Sequence, residues 1–260
     1  MSAPQQSSMW DDLRRTTQAR IGLGRTGDAL TTTRLLEFGA AHAAARDAVH
    51  QPLDVDDLTA QLAELGLGAP VTVRSRAADR AEYLRRPDLG RQPADLSGLT
   101  RGDADLAVVL ADGLSSRALT AHGAALLAAL VDRLPADIAV APPVIATQAR
   151  VALGDHVAHA FGARTVLVLI GERPGLSVAD SVGVYLTHRA DPDDYATGLS
   201  DADRNCISNI HPPDGLGYEA AATVAASLVV GARRLGRSGV DLKDTSRAEL
   251  EPGHVVDALE

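Results

Sequence analysis

Two carboxylates stand where a folded chain would make them available. Asp112 follows the apolar run Leu106-Ala107-Val108-Val109-Leu110, and Glu172 follows the equally apolar residues 165–170. If both runs are strands, both acids sit at carboxyl ends, the edge at which open α/β sheets bind ligands. Asp112 serves equally well as a loop cap. Glu172 lies within Gly171-Glu172-Arg173-Pro174-Gly175, a turn composition that can aim one carboxylate outward, and is the better ligand candidate. Cys206, the sole cysteine, lies in Arg204-Asn205-Cys206-Ile207-Ser208-Asn209-Ile210 and reads first as a compact apolar side chain, second as a reactive thiol. It has no cysteine partner for a disulfide or for metal-ligand spacing, and His156 and His159, at i,i+3, read as a helix surface.

Gly22-Leu23-Gly24-Arg25-Thr26-Gly27 matches the dinucleotide fingerprint, whose glycines work only when a strand precedes them. The polar residues from Arg14 to Arg20 supply none, so a plain glycine turn is the reading and a nucleotide oxidoreductase the rival. Arg74, Arg76, Arg80, Arg85, Arg86 and Arg91 alternate with Asp79, Glu82 and Asp88. That mixture suits a solvated face of paired charges or a partner interface, with phosphate binding third. No Gly-x-Ser-x-Gly elbow or P-loop anchors a hydrolase or nucleotide-triphosphatase reading.

The elements that must position these residues fall into two regions. After a leader, 1–9, expected to be mobile, residues 10–100 read as mainly helical, with helices over 31–49, 54–65 and 77–84 and one short strand at 71–73. Residues 101–245 then alternate strands at 106–110, 138–140, 165–170 and 182–186 with helices at 116–134, 148–161 and 217–235. This order predicts an α/β fold with a Rossmann-like, doubly wound, mainly parallel sheet. Residues 246–260 form a tail.

Composition bounds the partners. The 260 residues are 45% hydrophobic and carry a net charge of -9, enough apolar material for a sizeable core and the wrong sign for a general nucleic-acid binder. The first twenty residues lack a signal-peptide block, and no apolar run is long enough to span a bilayer, so the sequence predicts a soluble protein suited to a reducing cytoplasm.

Seven strings carry a resemblance to a known family: Ala19-Arg20-Ile21-Gly22-Leu23-Gly24-Arg25, Ser75-Arg76-Ala77-Ala78-Asp79-Arg80, Tyr83-Leu84-Arg85-Arg86-Pro87-Asp88-Leu89-Gly90-Arg91, Ala111-Asp112-Gly113-Leu114-Ser115, Gln148-Ala149-Arg150-Val151-Ala152-Leu153-Gly154-Asp155, Ile170-Gly171-Glu172-Arg173-Pro174-Gly175-Leu176 and Arg204-Asn205-Cys206-Ile207-Ser208-Asn209-Ile210. In this order the chain resembles the small subunits of ethanolamine ammonia-lyase from about residue 10 to about 245. The resemblance implies that Val151, Glu172 and Cys206 contact adenosylcobalamin. It implies a holoenzyme that converts ethanolamine to acetaldehyde and ammonia by radical chemistry, with several large–small subunit pairs and the catalytic side chains on the large barrel subunit. A bacterial microcompartment is the alternative location to free cytoplasm. The resemblance implies a base-on cofactor, and the sequence is consistent with it: His159-Ala160-Phe161-Gly162 carries only half of the Asp-x-His-x-x-Gly pattern, with Val157 in the aspartate position.

Overall fold

The computed structural model describes residues 9–246; the expected leader up to residue 8 and the tail from residue 247 lie outside the described residues. Six strands form one sheet: β1 (Val71–Arg74), β2 (Leu106–Ala111), β3 (Val144–Thr147), β4 (Thr165–Gly171), β5 (Val182–His188) and β6 (Asn205–Ile210). Their spatial order is β1-β3-β2-β4-β5-β6. Pairing is parallel among β1, β3, β2 and β4, and antiparallel from β4 to β5 and from β5 to β6.

The α/β architecture expected from the sequence is present, but the sheet is mixed. The reason lies in the connections. Parallel neighbours need a long crossover, and the chain provides one in α6 (Ser116–Arg133), between β2 and β3, and another in α7 (Leu153–Phe161), between β3 and β4. Between β4 and β5 it provides only a short link, so β5 turns straight back.

β2 and β4 are buried along their whole length, as strands covered on both faces must be. Alternation sorts their side chains between two cores. Leu106, Val108 and Leu110 pack with α6, with α3 (Val55–Ala63) and with α8 (Tyr218–Leu235), while Ala107, Val109 and Ala111 pack under α7. α7 lies close to β4 because Gly154 has no side chain, and a Cβ there would overlap Val168.

The N-terminal part contributes α1 (Met9–Arg14), α2 (Thr32–His50), α4 (Arg80–Arg85) and α5 (Pro87–Gly90). Two starts are capped as their sequences dictate: Asp54 accepts from the Asp57 N–H before α3, and Asp79 accepts from the Glu82 N–H before α4. α2 buries only Ala48 and leaves Leu35, Leu36 and Phe38 exposed. The glycines at 22, 24 and 27 all have positive φ and follow no strand, and residues 26 and 29 make only an isolated bridge.

Three elements differ from the sequence reading. The strand expected over 138–140 forms instead at 144–147, beyond Pro142 and Pro143, and Val140 makes only an isolated bridge to Leu106. α7 begins at Leu153 rather than 148, because the chain first turns through Gln148 at φ 53°. β6 was not expected, since its mixed polar pattern is that of an edge strand with one face half covered.

Candidate ligand cleft

The chain leaves β2 for β3 on one side, then passes back across β2 to β4 on the other. At the carboxyl edge between β2 and β4 the connections therefore part, and such switch points leave a crevice. A cleft of about 450 Å³ opens there, lined by Gly113, Leu114, Val151, Gly171, Glu172 and Tyr185 among others.

Its floor is backbone against backbone. Leu114 N–H donates to Gly171 O at 2.9 Å. A Cβ on Gly113 would overlap that same carbonyl, and one on Gly171 would overlap the carbonyls of Asp112 and Ser115. Gly113 also holds φ 54°, a conformation that favours glycine.

Asp112 belongs to the frame beneath the cleft. It is only 5% exposed; its Oδ1 accepts from Ala149 N–H at 3.0 Å and its Oδ2 from Arg80 Nη1 at 3.4 Å. Burial pushes its pKa up, while the Gln148 and Ala149 N–H groups and Arg80 pull it down. Of its two sequence readings the structure selects the loop cap. Tyr83, fully buried, donates from its hydroxyl to Ala149 O at 3.0 Å. The Arg80 and Arg150 guanidinium carbons lie 4.8 and 4.5 Å from its ring centroid, a cation–π arrangement. Together these contacts fix the 148–152 turn and so the half-buried Val151. Much of the arginine-rich stretch is likewise engaged within the chain: Arg80 also donates to Val49 O, Arg76 to Gln92 and Arg86 to Asp88.

Glu172 is held differently. Its Oε2 accepts from Ser181 Oγ at 2.7 Å and from Asn209 N–H at 3.2 Å, and its own N–H donates to Ser181 O at 3.0 Å. Among the described residues Oε1 accepts no hydrogen bond. Cys206, exposed on β6, stands opposite Tyr185 of β5. Burial pushes Tyr185 up to about 12, and partial desolvation at the sulfur raises the Cys206 thiol although the residue is exposed, with the nearby Glu172 charge adding to both. Val151 and Glu172 therefore line one cleft, and Cys206 adjoins it through Tyr185. Ser181, Asn209, Tyr83 and Tyr185 are additions that the sequence reading did not single out.

His159 lies away from this edge, with Nδ1 3.3 Å from Pro192 O. Among the described residues no cluster of three or more His, Cys, Asp or Glu could hold a metal ion.

The model of the ethanolamine ammonia-lyase light chain (EutC) family matches residues 7–243. The chain is 65% identical over 240 residues to the ethanolamine ammonia-lyase small subunit of Rhodococcus erythropolis, covering 92% of this chain and 91% of that one. It is 50% identical over 244 residues to the small subunit of Rhodopseudomonas palustris (strain BisA53), covering 92% and 91%. To that of Bradyrhizobium diazoefficiens it is 50% identical over 255 residues, covering 95% of each. The chain belongs to the ethanolamine ammonia-lyase small-subunit family. It is thus a subunit of a lyase. The family match spans the whole sheet and every residue of the cleft described above, Val151, Glu172 and Cys206 included.

Proposed function

We propose that this chain forms one wall of an adenosylcobalamin site in an ethanolamine ammonia-lyase whose large subunit supplies the rest. The observation that carries the reading is the cleft itself, where Val151, Glu172 and Tyr185 share one opening and Cys206 adjoins it. Its 450 Å³ lies toward the lower end of the roughly 300–1,000 Å³ that drug-sized ligands fill. A corrin ring with its nucleotide loop is much larger than such a ligand, so a second surface must close over it.

The residues fit that group. Glu172 Oε1 is placed to accept an N–H from a side-chain amide on the corrin rim, and Val151 and the Tyr185 ring offer apolar contact to the macrocycle. Cys206 adds a compact sulfur surface. When bound, the cofactor supplies the radical chemistry by which ethanolamine becomes acetaldehyde and ammonia. This chain's part is to hold, orient and exclude water. Asp112 is buried and engaged, and the Tyr185 hydroxyl and Cys206 thiol, ordinarily protonated at neutral pH, are shifted further upward, so none of these three is offered as a general base. We read the cofactor as base-on, since His159 faces Pro192 at the opposite edge of the sheet.

The same reading makes residues 101–245 a Rossmann-like, cofactor-facing unit and 10–100 a helical region ahead of it. Several large–small pairs would assemble, in the cytoplasm or in a bacterial microcompartment. Among the described residues no helix is long and apolar enough to cross a membrane.

The test is a cobalamin titration, followed by absorbance, of the two-subunit assembly carrying Glu172→Ala. A hydrogen bond to a charged acceptor contributes about 1.5–3 kcal/mol, so the affinity falls about tenfold or more. Size-exclusion chromatography shows the assembly intact. Unchanged affinity in an intact assembly would leave this chain a scaffold that does not touch the cofactor.

A further inference from the structure

We propose that Ser181, Gly183 and Asn209 are positioning residues that fix one oxygen of Glu172 and leave the other facing the cleft. The inference rests on the reading of Glu172 as a cofactor contact and adds what makes that contact specific.

The pairing of β5 with β6 is irregular at one place. Val182 pairs with Ile210 but Val184 pairs with Ile207, so Ser208 and Asn209 together oppose the single residue Gly183. This is a β-bulge, a device that bends a strand and re-aims a group out of the ladder. Here the re-aimed group is the Asn209 N–H, which leaves the sheet and donates to Glu172 Oε2 at 3.2 Å. Asn209 sits at φ 63°, a region that asparagine tolerates better than most residues. Its side-chain Oδ1 is 2.8 Å from His211 Nε2. The following turn closes against this pair, because a Cβ on Gly215 would overlap the His211 ring and Asn209 O.

The opposite strand completes the cradle. Ser181 Oγ donates to the same oxygen at 2.7 Å. Gly183 leaves the space that Oε1 occupies, since a Cβ there would stand 3.0 Å from Oε1. A single donor would let a carboxylate swivel about its contact. Two donors converging on Oε2, with an absent side chain beside Oε1, select one orientation before any ligand arrives, and a preset acceptor loses less freedom on binding.

The test is a double-mutant cycle in the complete two-subunit assembly, read as the dissociation constant of hydroxocobalamin by absorbance. If Ser181 acts through Glu172, Ser181→Ala weakens binding about five- to tenfold beside Glu172 and less than about twofold beside Glu172→Ala. Ser181→Thr, which keeps the hydroxyl, restores affinity. Gly183→Ala weakens binding in the same Glu172-dependent way. Asn209→Gly, which keeps both the N–H and the positive φ, stays near the parent, whereas Asn209→Val does not. Thermal unfolding of each assembly identifies any variant that has lost its fold, and Ser181→Ala, which deletes one oxygen, carries the decision in that case. Equal effects of Ser181→Ala in both backgrounds, or none, would overturn the positioning role while Glu172→Ala still weakened binding. If Glu172→Ala itself changed nothing, the cofactor-wall reading would fall first.

Discussion

Tyr83 sets much of the cleft's shape from beneath it. Its hydroxyl is the donor that Ala149 O relies on within the core, and the 148–152 turn carries Val151. Tyr83→Phe leaves that carbonyl unpaired, and we expect a loss of about 1–3 kcal/mol in urea unfolding. His188 gives a second expectation at this scale. Burial, with Arg164, Arg233 and Arg189 nearby, holds it at about 4 against an ordinary 6.5. Between those values the unfolded chain binds the extra proton, so stability rises with pH there. The contribution is fully present above about 6.5 and is lost as pH falls toward 4, by on the order of 3 kcal/mol. His188→Gln flattens that slope in unfolding curves taken from pH 4 to 7; an unchanged slope would place the titrating group elsewhere. Glu172 was legible as a cleft residue because it follows an apolar strand within a Gly- and Pro-rich turn, whereas Asp112, after an equally apolar strand, is engaged as a loop cap. Ser181 and Asn209 were not, because their partnership with it depends on a bulge, and nothing in the residue types marks where a register slips.

At the scale of elements, one buried ion pair ties α7 to the strand that antiparallel pairing adds at the edge. Arg204 Nη1 and Nη2 reach Asp155 Oδ1 and Oδ2 at 2.7 and 2.6 Å, and Nη1 also donates to Thr187 Oγ1. The two side chains are 2% and 7% exposed. Removing one partner strands a buried charge, so Arg204→Ala costs about 3–5 kcal/mol in chemical denaturation. Replacing both, as Arg204→Met with Asp155→Leu, recovers most of that loss, because well-packed apolar substitutes spare the desolvation of two ions. The helices and the long strands could be read from periodicity and from burial-driven apolar runs. β3 could not, since four residues behind two prolines give no pattern, and β6 is too polar to announce itself. The direction of β5 was legible only in retrospect: the segment after Glu172 has no helical run to carry the chain back across the sheet.

For the molecule as a whole, the cleft offers the Glu172 carboxylate, apolar surface and the guanidinium donors of Arg150 and Arg173, a set suited to holding a ligand, and turnover is expected to need a second chain. Acetaldehyde formation from ethanolamine, assayed with each subunit and the cobalamin omitted in turn, is expected only when all three are present; activity from this chain alone would reverse its role. The backward course of β5 has a further consequence. It pairs His188 with Thr165, at the start of β4, so the 189–204 stretch, with Asp191-Pro192-Asp193-Asp194, emerges at the rim farthest from Glu172. Extra residues grafted after Thr197, within the exposed residues 196–198, would lengthen a solvent-facing excursion, and hydroxocobalamin affinity is expected to stay within about twofold of the parent. The same graft after Gly175 would disturb it. Length can thus drift at one pole of this protein while the other is held to a fixed plan.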